Sequence, residues 1–259
     1  TTDRSFPYDT LVIAVGSLTN DFGTPGVKAN AISLETPQEA ARFHARLVNA
    51  CIRAHSQSEP LRPDQLHVAI IGAGATGTEL AAELHRTTRQ LVAFGLDRID
   101  PDMDIKITLI EAANRVLPAL PERLSDAAAE LLGKLGVQIR TSARVSEVLP
   151  HSVRLASGEL IPAELIVWSA GVKAPDVLAN IAGLETNRAN QLVVRRTLQT
   201  TRDDSIFAIG DCAACPWPGH PGIVPPRAQA AHQQASHMVG QIRRLLAGEA
   251  KGRIVVKIG

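Results

Sequence analysis

Three glycines in the run Gly72-x-Gly74-x-x-Gly77 follow an apolar stretch, His67-Val-Ala-Ile-Ile71, and precede a helical pattern that starts at Thr78. This order of strand, glycine turn and helix can hold a pyrophosphate. Gly72 permits the tight turn, Gly74 lets the backbone approach the anion, Gly77 lets the helix pack close to the strand, and the helix N-terminus faces the negative charge. A plain tight turn would use the same residues with no ligand. Glu111 stands directly after the next apolar run, Ile105 to Ile110. A carboxylate there accepts hydrogen bonds from ribose hydroxyls and repels a 2′-phosphate, which favours NAD over NADP. Arg115 lies near enough to argue the other way, and a solvated glutamate at a strand end is the simpler alternative. The interval from Gly77 to Glu111 exceeds the usual spacing of about 20 residues, an excess assigned to an insertion around Gly95 to Asp104.

Other chemistry-bearing residues are less telling. Cys212-x-x-Cys215 has the spacing of a redox or metal pair, yet two thiols do not complete a tetrahedral zinc site unless His220 or His232 joins them. Structural thiols are the simpler reading, and no metal is expected. The eight histidines are scattered, with neither a Ser-His-Asp order nor a His-Glu-x-x-His helix, so hydrolysis is not indicated.

The elements that must position these groups belong to an α/β chain. Leu11-Val-Ile-Ala-Val15 is β-branched and lacks polar alternation, as expected of a strand covered on both faces. Thr36-Pro-Gln-Glu39 opens a helix with Pro first and an acid in the first turn; Phe43, Leu47, Ala50 and Cys51 then recur at helical spacing. Ser56 to Pro63 reads as a linker. Pro121 to Leu135 is a helix capped by Gly136, Val137 to Thr141 a strand, and Val145 to Ser169 a short meander turned at Ser157-Gly158 from which Leu165-Ile-Val-Trp168 re-enters the sheet. Leu192 to Val194 and Ile206 to Ile209 read as further strands. A last helix spans about Pro226 to Leu246, and Lys251 to Gly259 reads as a strand-like tail.

Composition bounds the function. The 259 residues carry 27 Lys and Arg against 26 Asp and Glu, a net charge of +1, which provides no field for nucleic acid. With 45% hydrophobic and 20% charged residues the chain is ordinary globular protein, enough for one large or two modest domains. Three cysteines suit a reducing, intracellular compartment, and no run of about 18 apolar residues suggests a membrane span. The chain opens without an initiator Met and reads as a piece of a longer protein.

Two outlying segments bring in a resemblance. Tyr8-Asp9 leads through Leu11 to Val15 into Gly16-Ser17, and Thr201-x4-Ser205 leads through Ile206 to Ile209 into Gly210-Asp211. With the glycine turn and Leu165-Ile-Val-Trp-Ser-Ala-Gly171, these resemble the two-dinucleotide-binding-domain flavoproteins of pyridine nucleotide-disulfide oxidoreductase type. The resemblance implies a Rossmann-like NAD domain inserted into a discontinuous FAD domain. It assigns Gly16, Gly171, Gly210 and Asp211 to cofactor binding, with Asp211 at the ribityl or pyrophosphate region of FAD and a following helix facing phosphate. Pro225-Pro-Arg-Ala228-Gln229-Ala-Ala-His-Gln233 is similar to the quinone-site motif of the type II NADH:quinone oxidoreductases, the alternative NADH dehydrogenases. Gln229 and Gln233 fall on one helix face, where two amides can meet a flat quinone or frame a flavin edge. The family's Gly-x-Glu segment places Glu79 near nicotinamide and quinone, where it could relay a proton; an acid in a helix's first turn is equally served by the macrodipole.

The implied activity is transfer of hydride from NADH to flavin and of electrons to a membrane quinone, respiratory electron transfer without proton pumping. The implied partners are NADH, a quinone and, for the full-length protein, the inner face of the cell membrane, peripherally bound from the cytoplasm; a homodimer is open. The alternatives are a reductase of a soluble electron carrier or, for this piece alone, an NAD(H)-binding module without turnover. No glycine fingerprint for the FAD adenosine half precedes Tyr8, and Lys251 to Gly259 does not resemble the family's C-terminal region. The expected division is therefore an incomplete FAD domain at 1–60 and 173–259 around an NAD domain at 61–172.

Overall fold

The structure, a computed structural model, describes residues 4–248; the tail expected from Lys251 to Gly259 lies outside them. The principal elements are β1 (Leu11–Ile13), α1 (Pro37–Ser56), β2 (His67–Ile71), α2 (Ala75–Ala93), β3 (Lys106–Ile110), α3 (Glu122–Lys134) and β4 (Gln138–Arg140). They continue as β5 (Val145–Leu149), β6 (Ser152–Leu155), β7 (Leu160–Pro162), β8 (Leu165–Trp168), β9 (Leu192–Val193), β10 (Ile206–Ala208), β11 (Ala213–Ala214) and α4 (Ala228–Leu246). The chain divides into an inner unit, Thr19–Gly171, and an outer unit made of the residues up to Leu18 and from Val172 onward.

In the inner unit a parallel sheet runs in the order β4-β3-β2-β8. Every residue of β2 is buried, which is why its sequence is a continuous apolar run without alternation. The register aligns Ile71 with both Ile110 and Trp168, so the three strands end together and place the loops after them along one edge. Phe43 and Leu47 of α1, Ala81 and Leu84 of α2 and Leu132 of α3 share a core with Val68, Ile70, Leu109 and Val167. Ile71, Ile110 and Trp168 belong to a second core, with Val148, Val153 and Ile161 of the antiparallel β5-β6-β7 meander. Strand alternation thus sends successive side chains into helices on one face and a meander on the other.

The expected boundary at residue 60 is corrected: the inner unit begins at Thr19. Ile32 exchanges hydrogen bonds with β8, its N–H donating to the Ile166 carbonyl and its carbonyl accepting from Trp168 N–H, at 3.0 and 2.9 Å. α1 then buries Phe43, Leu47, Ala50 and Cys51 against the sheet. Its start is as the sequence suggests, with Thr36 and Glu39 forming a reciprocal capping box. The prolines after Ser56 mark a turn inside the unit rather than a domain edge.

One buried group ties this fold to pH. His67, 6% exposed, holds its Nε2 2.8 Å from Thr108 Oγ1. Burial, helped by the neighbouring Lys106, pushes its pKa down to about 4. The unfolded chain therefore binds the extra proton between the ordinary histidine value and 4, and stability contributed by the neutral imidazole is lost as pH falls through that window. Lowering pH from 7 to 5 should cost about 2 kcal/mol through this residue. Urea midpoints at the two pH values check it: His67→Gln should flatten the dependence, and an equally steep loss in the variant would refute it.

In the outer unit, β1 pairs in parallel with β10 and β9 in parallel with β11. Leu192, Val194, Leu198, Phe207, Ala230 and Met238 are among the residues of its core.

Candidate functional site

The glycine turn joins β2 to α2. Gly72 has φ +101°, and a Cβ there would stand 2.7 Å from the Ala170 backbone. A Cβ on Gly77 would stand 1.9 Å from the Gly72 carbonyl oxygen and 2.8 Å from Ser169 Oγ. Gly74, at the α2 N-cap, differs: nothing lies within 4 Å of where its Cβ would be. Two glycines therefore serve packing, and the middle one opens the backbone to whatever occupies the turn. Ser169 Oγ donates to the Ile71 and Gly72 carbonyls at 3.0 and 2.9 Å, and Gly72 N–H donates to Ile110 at 2.8 Å. The first amides of α2 have no carbonyl behind them within the helix and make an anion-facing cluster.

Glu111 is bound into this turn. Its Oε2 accepts from Ala73 N–H at 2.7 Å and its Oε1 from Ala113 N–H at 2.8 Å. Each oxygen keeps a second lone pair for a further donor. Arg115, by contrast, donates from its guanidinium to the Pro118 and Leu120 carbonyls at 3.0 and 3.4 Å, and its Nε is buried without a partner. It braces its own loop, which removes the sequence argument for a 2′-phosphate contact there. Beside the turn lies a cavity of about 330 Å³ whose walls include Phe22, Gly72, Glu111, Arg144, Trp168 and Ala170. Gly171, with φ +66°, could not carry a Cβ without meeting the Phe22 ring at 2.4 Å.

Glu79 is exposed and borders a separate apolar groove of about 420 Å³ with Ala82, Ala128 and Leu131. Because α2 starts at Ala75 and not at Thr78, Glu79 is its fifth residue, so the first-turn dipole reading is corrected.

The outer unit assembles the other predicted residues. β1 and β10 end side by side, Ile209 N–H donating to the Ile13 carbonyl at 3.0 Å, and Ser17 Oγ donates to Asp211 Oδ2 at 2.8 Å. Gln191 Nε2 donates to the Asp211 main-chain carbonyl at 2.8 Å. The helix expected directly after Asp211 is instead a single 3-10 turn, Gly210–Cys212, followed by β11; α4 begins only at Ala228. On α4, Gln229 is exposed and Gln233 half-buried, beside a buried stripe of Ala230, Gln234, Met238 and Gln241. Gln234 Oε1 accepts from Gly210 N–H at 2.7 Å and so anchors the Asp211 turn to the helix. Sequence reasoning missed Gln234; its signal is a polar residue on the apolar stripe, one place after Gln233.

Residues 1–235 match the family described as pyridine nucleotide-disulphide oxidoreductase. The chain belongs to this family. Within it, the chain is 44% identical over 244 residues to the type II NADH:quinone oxidoreductase of Haemophilus influenzae, a match covering 90% of the chain and 54% of that protein. The type II NADH:quinone oxidoreductase Ndh of Mycobacterium tuberculosis is 30% identical over 250 residues, covering 93% and 52%. Among solved structures, NDH2 from Plasmodium falciparum in complex with NADH shares the fold with a TM-score of 0.68 at 26% identity, covering 80% of this chain and 44% of that one. The chain spans about half the length of the two type II enzymes it matches. The expected α/β fold with a Rossmann-like unit stands.

For a pyridine nucleotide-disulphide oxidoreductase the thiols need an account. Cys51, Cys212 and Cys215 are all free and buried. Cys212 and Cys215 sit in the outer unit's core. Burial raises the Cys212 thiol and pushes Cys215 up to about 11, so both stay protonated and poorly nucleophilic at neutral pH. Their C-x-x-C spacing is used for packing.

Proposed function

We propose that this chain is the NADH-binding and quinone-facing portion of a type II NADH:quinone oxidoreductase, holding NADH on the inner unit and FAD on the outer. The observation that carries the reading is the turn at Gly74, open where the flanking glycines are packed shut, with the Glu111 carboxylate tied to it through Ala73 N–H. The likeness to the Haemophilus influenzae enzyme over 90% of the chain supports it.

The residues present fit both groups. On the inner unit the α2 amides take the pyrophosphate, and the spare lone pairs of Glu111 accept the ribose hydroxyls. The same carboxylate, with Arg115 withdrawn into its loop, disfavours a 2′-phosphate and selects NADH. On the outer unit Ser17 fixes one carboxylate oxygen of Asp211, and the carboxylate accepts flavin-chain hydroxyls. Once bound, NADH supplies hydride, which the flavin passes on as electrons to quinone. The protein contributes alignment: Gln234 holds the Asp211 turn against α4, and Gln229 and Gln233 present amides to the quinone carbonyl. Glu79 relays the proton a reduced quinone takes up. Quinones dissolve in lipid, so the reading places the full-length protein peripherally on the inner face of the membrane; among the described residues no helix is long and apolar enough to cross one.

The test uses full-length protein with two electron acceptors. Gln229→Ala and Gln233→Ala should each lower kcat/KM for quinone roughly tenfold, the loss of one hydrogen bond to the quinone carbonyl. NADH oxidation by a soluble artificial acceptor should hardly change. Equal losses with both acceptors would remove the quinone-site assignment.

A further inference from the structure

We propose that Phe22 is the aromatic wall against which the adenine ring of the bound dinucleotide rests. The inference depends on the NADH reading above. Phe22 is 64% exposed, in a chain with only five phenylalanines. Its backbone has φ +50°, a left-handed conformation that L residues other than Asn and Asp seldom adopt. The loop is locked into that conformation. Asn20 Oδ1 accepts from Phe22 N–H at 2.9 Å, Asp21 Oδ1 accepts from Gly23 N–H at 3.0 Å, and Thr24 N–H donates to the Asp21 carbonyl at 2.8 Å. From the sheet side, Trp168 Nε1 donates to the Asn20 carbonyl at 3.0 Å, and Asn20 N–H donates to the Gly171 carbonyl at 3.2 Å.

All of these bonds hold a large apolar ring out of the core. The far end of the ring lies on Gly171, the one residue type that leaves room for it, and the ring forms part of the cavity that Glu111 also borders. An aromatic side chain kept exposed by a strained loop that several hydrogen bonds hold in place marks a ligand surface. The chemistry of the cavity says which part of the ligand. Glu111 accepts the ribose, the pyrophosphate lies at the α2 N-terminus, and the base attached to that ribose is a flat ring with polar edges and a π-face on each side. The remaining walls include the apolar side chains of Ile71, Ile110, Val145 and Trp168, which suit the faces of the ring, and the polar Thr24 and Arg144, which can meet its edges. Stacking on an aromatic side chain needs no base-specific hydrogen bond, only a π-face.

The experiment titrates full-length protein with three probes: NADH, ADP-ribose, which keeps adenosine and the pyrophosphate but lacks the nicotinamide, and reduced nicotinamide mononucleotide, which lacks the adenosine portion. Phe22→Ala should raise the Kd for NADH and for ADP-ribose roughly tenfold and leave the mononucleotide within about twofold of wild type. Phe22→Trp, which keeps a π-face, should restore ADP-ribose affinity. The proposal is overturned if Phe22→Ala leaves ADP-ribose binding unchanged, or if it weakens the mononucleotide as much, the mark of a merely structural loop residue. Wild-type protein that binds neither NADH nor ADP-ribose would overturn the NADH reading itself and this proposal with it, an outcome distinct from an unaffected variant.

Discussion

Gly74→Val is expected to abolish NADH binding, with affinity falling roughly 100-fold or more, while the protein keeps its thermal stability. The two halves of that expectation come from one geometry. Gly74 has φ −70° and ψ −171°, extended backbone open to any residue, and its missing Cβ faces empty space. A valine is therefore accommodated by the protein, but its methyl groups occupy the approach to the α2 amides where the pyrophosphate must sit. Titration with NADH alongside a thermal melt checks both. Undiminished NADH affinity would show that the turn does not receive the nucleotide.

Gly77→Ala should produce the opposite pattern. Its Cβ would lie 1.9 Å from the Gly72 carbonyl oxygen, backbone that is itself hydrogen-bonded to Ser169. The start of α2 would have to lift away from β2, at a cost of about 3 kcal/mol or more. For a unit of this size that corresponds to a fall in Tm of roughly 10 °C. Calorimetry on the purified protein measures it, and an unchanged Tm would contradict the packing role. Two glycines of one motif, three residues apart in sequence, are thus expected to separate, Gly74→Val acting on nucleotide affinity and Gly77→Ala on the fold.

The sequence reading divides the glycines in the same way, Gly74 for the anion and Gly77 for packing. The run of strand, glycine turn and helix was legible because its signals are local: an unbroken apolar run, glycines at fixed offsets, a 3.6-residue period. The same holds for α1, whose capping box lies within Thr36 to Glu39. Glu111 drew notice by its place at a strand end, but the sequence could not say that its carboxylate would bind the turn 38 residues earlier. Arg115 shows the converse. Its type and proximity suggested a phosphate partner, and its actual partners, the carbonyls of its own loop, depend on how that loop folds back. The boundary at residue 60 failed for a related reason. Prolines and polar residues mark a turn, and whether a turn separates two cores or lies within one depends on where α1 packs.

The sequence by itself determined the α/β class, the order of the elements around the glycine turn, and the candidate residues that the proposed reading assigns to the nucleotide and the quinone. These are encoded by neighbours a few positions apart. Tertiary structure alone decided which distant residues meet: Ser17 with Asp211 across 194 positions, Gln234 with Gly210, and Phe22 with Gly171. Those pairings follow from strand register and from close packing at single atoms, which a side chain shifted by one place would undo. No local pattern records them.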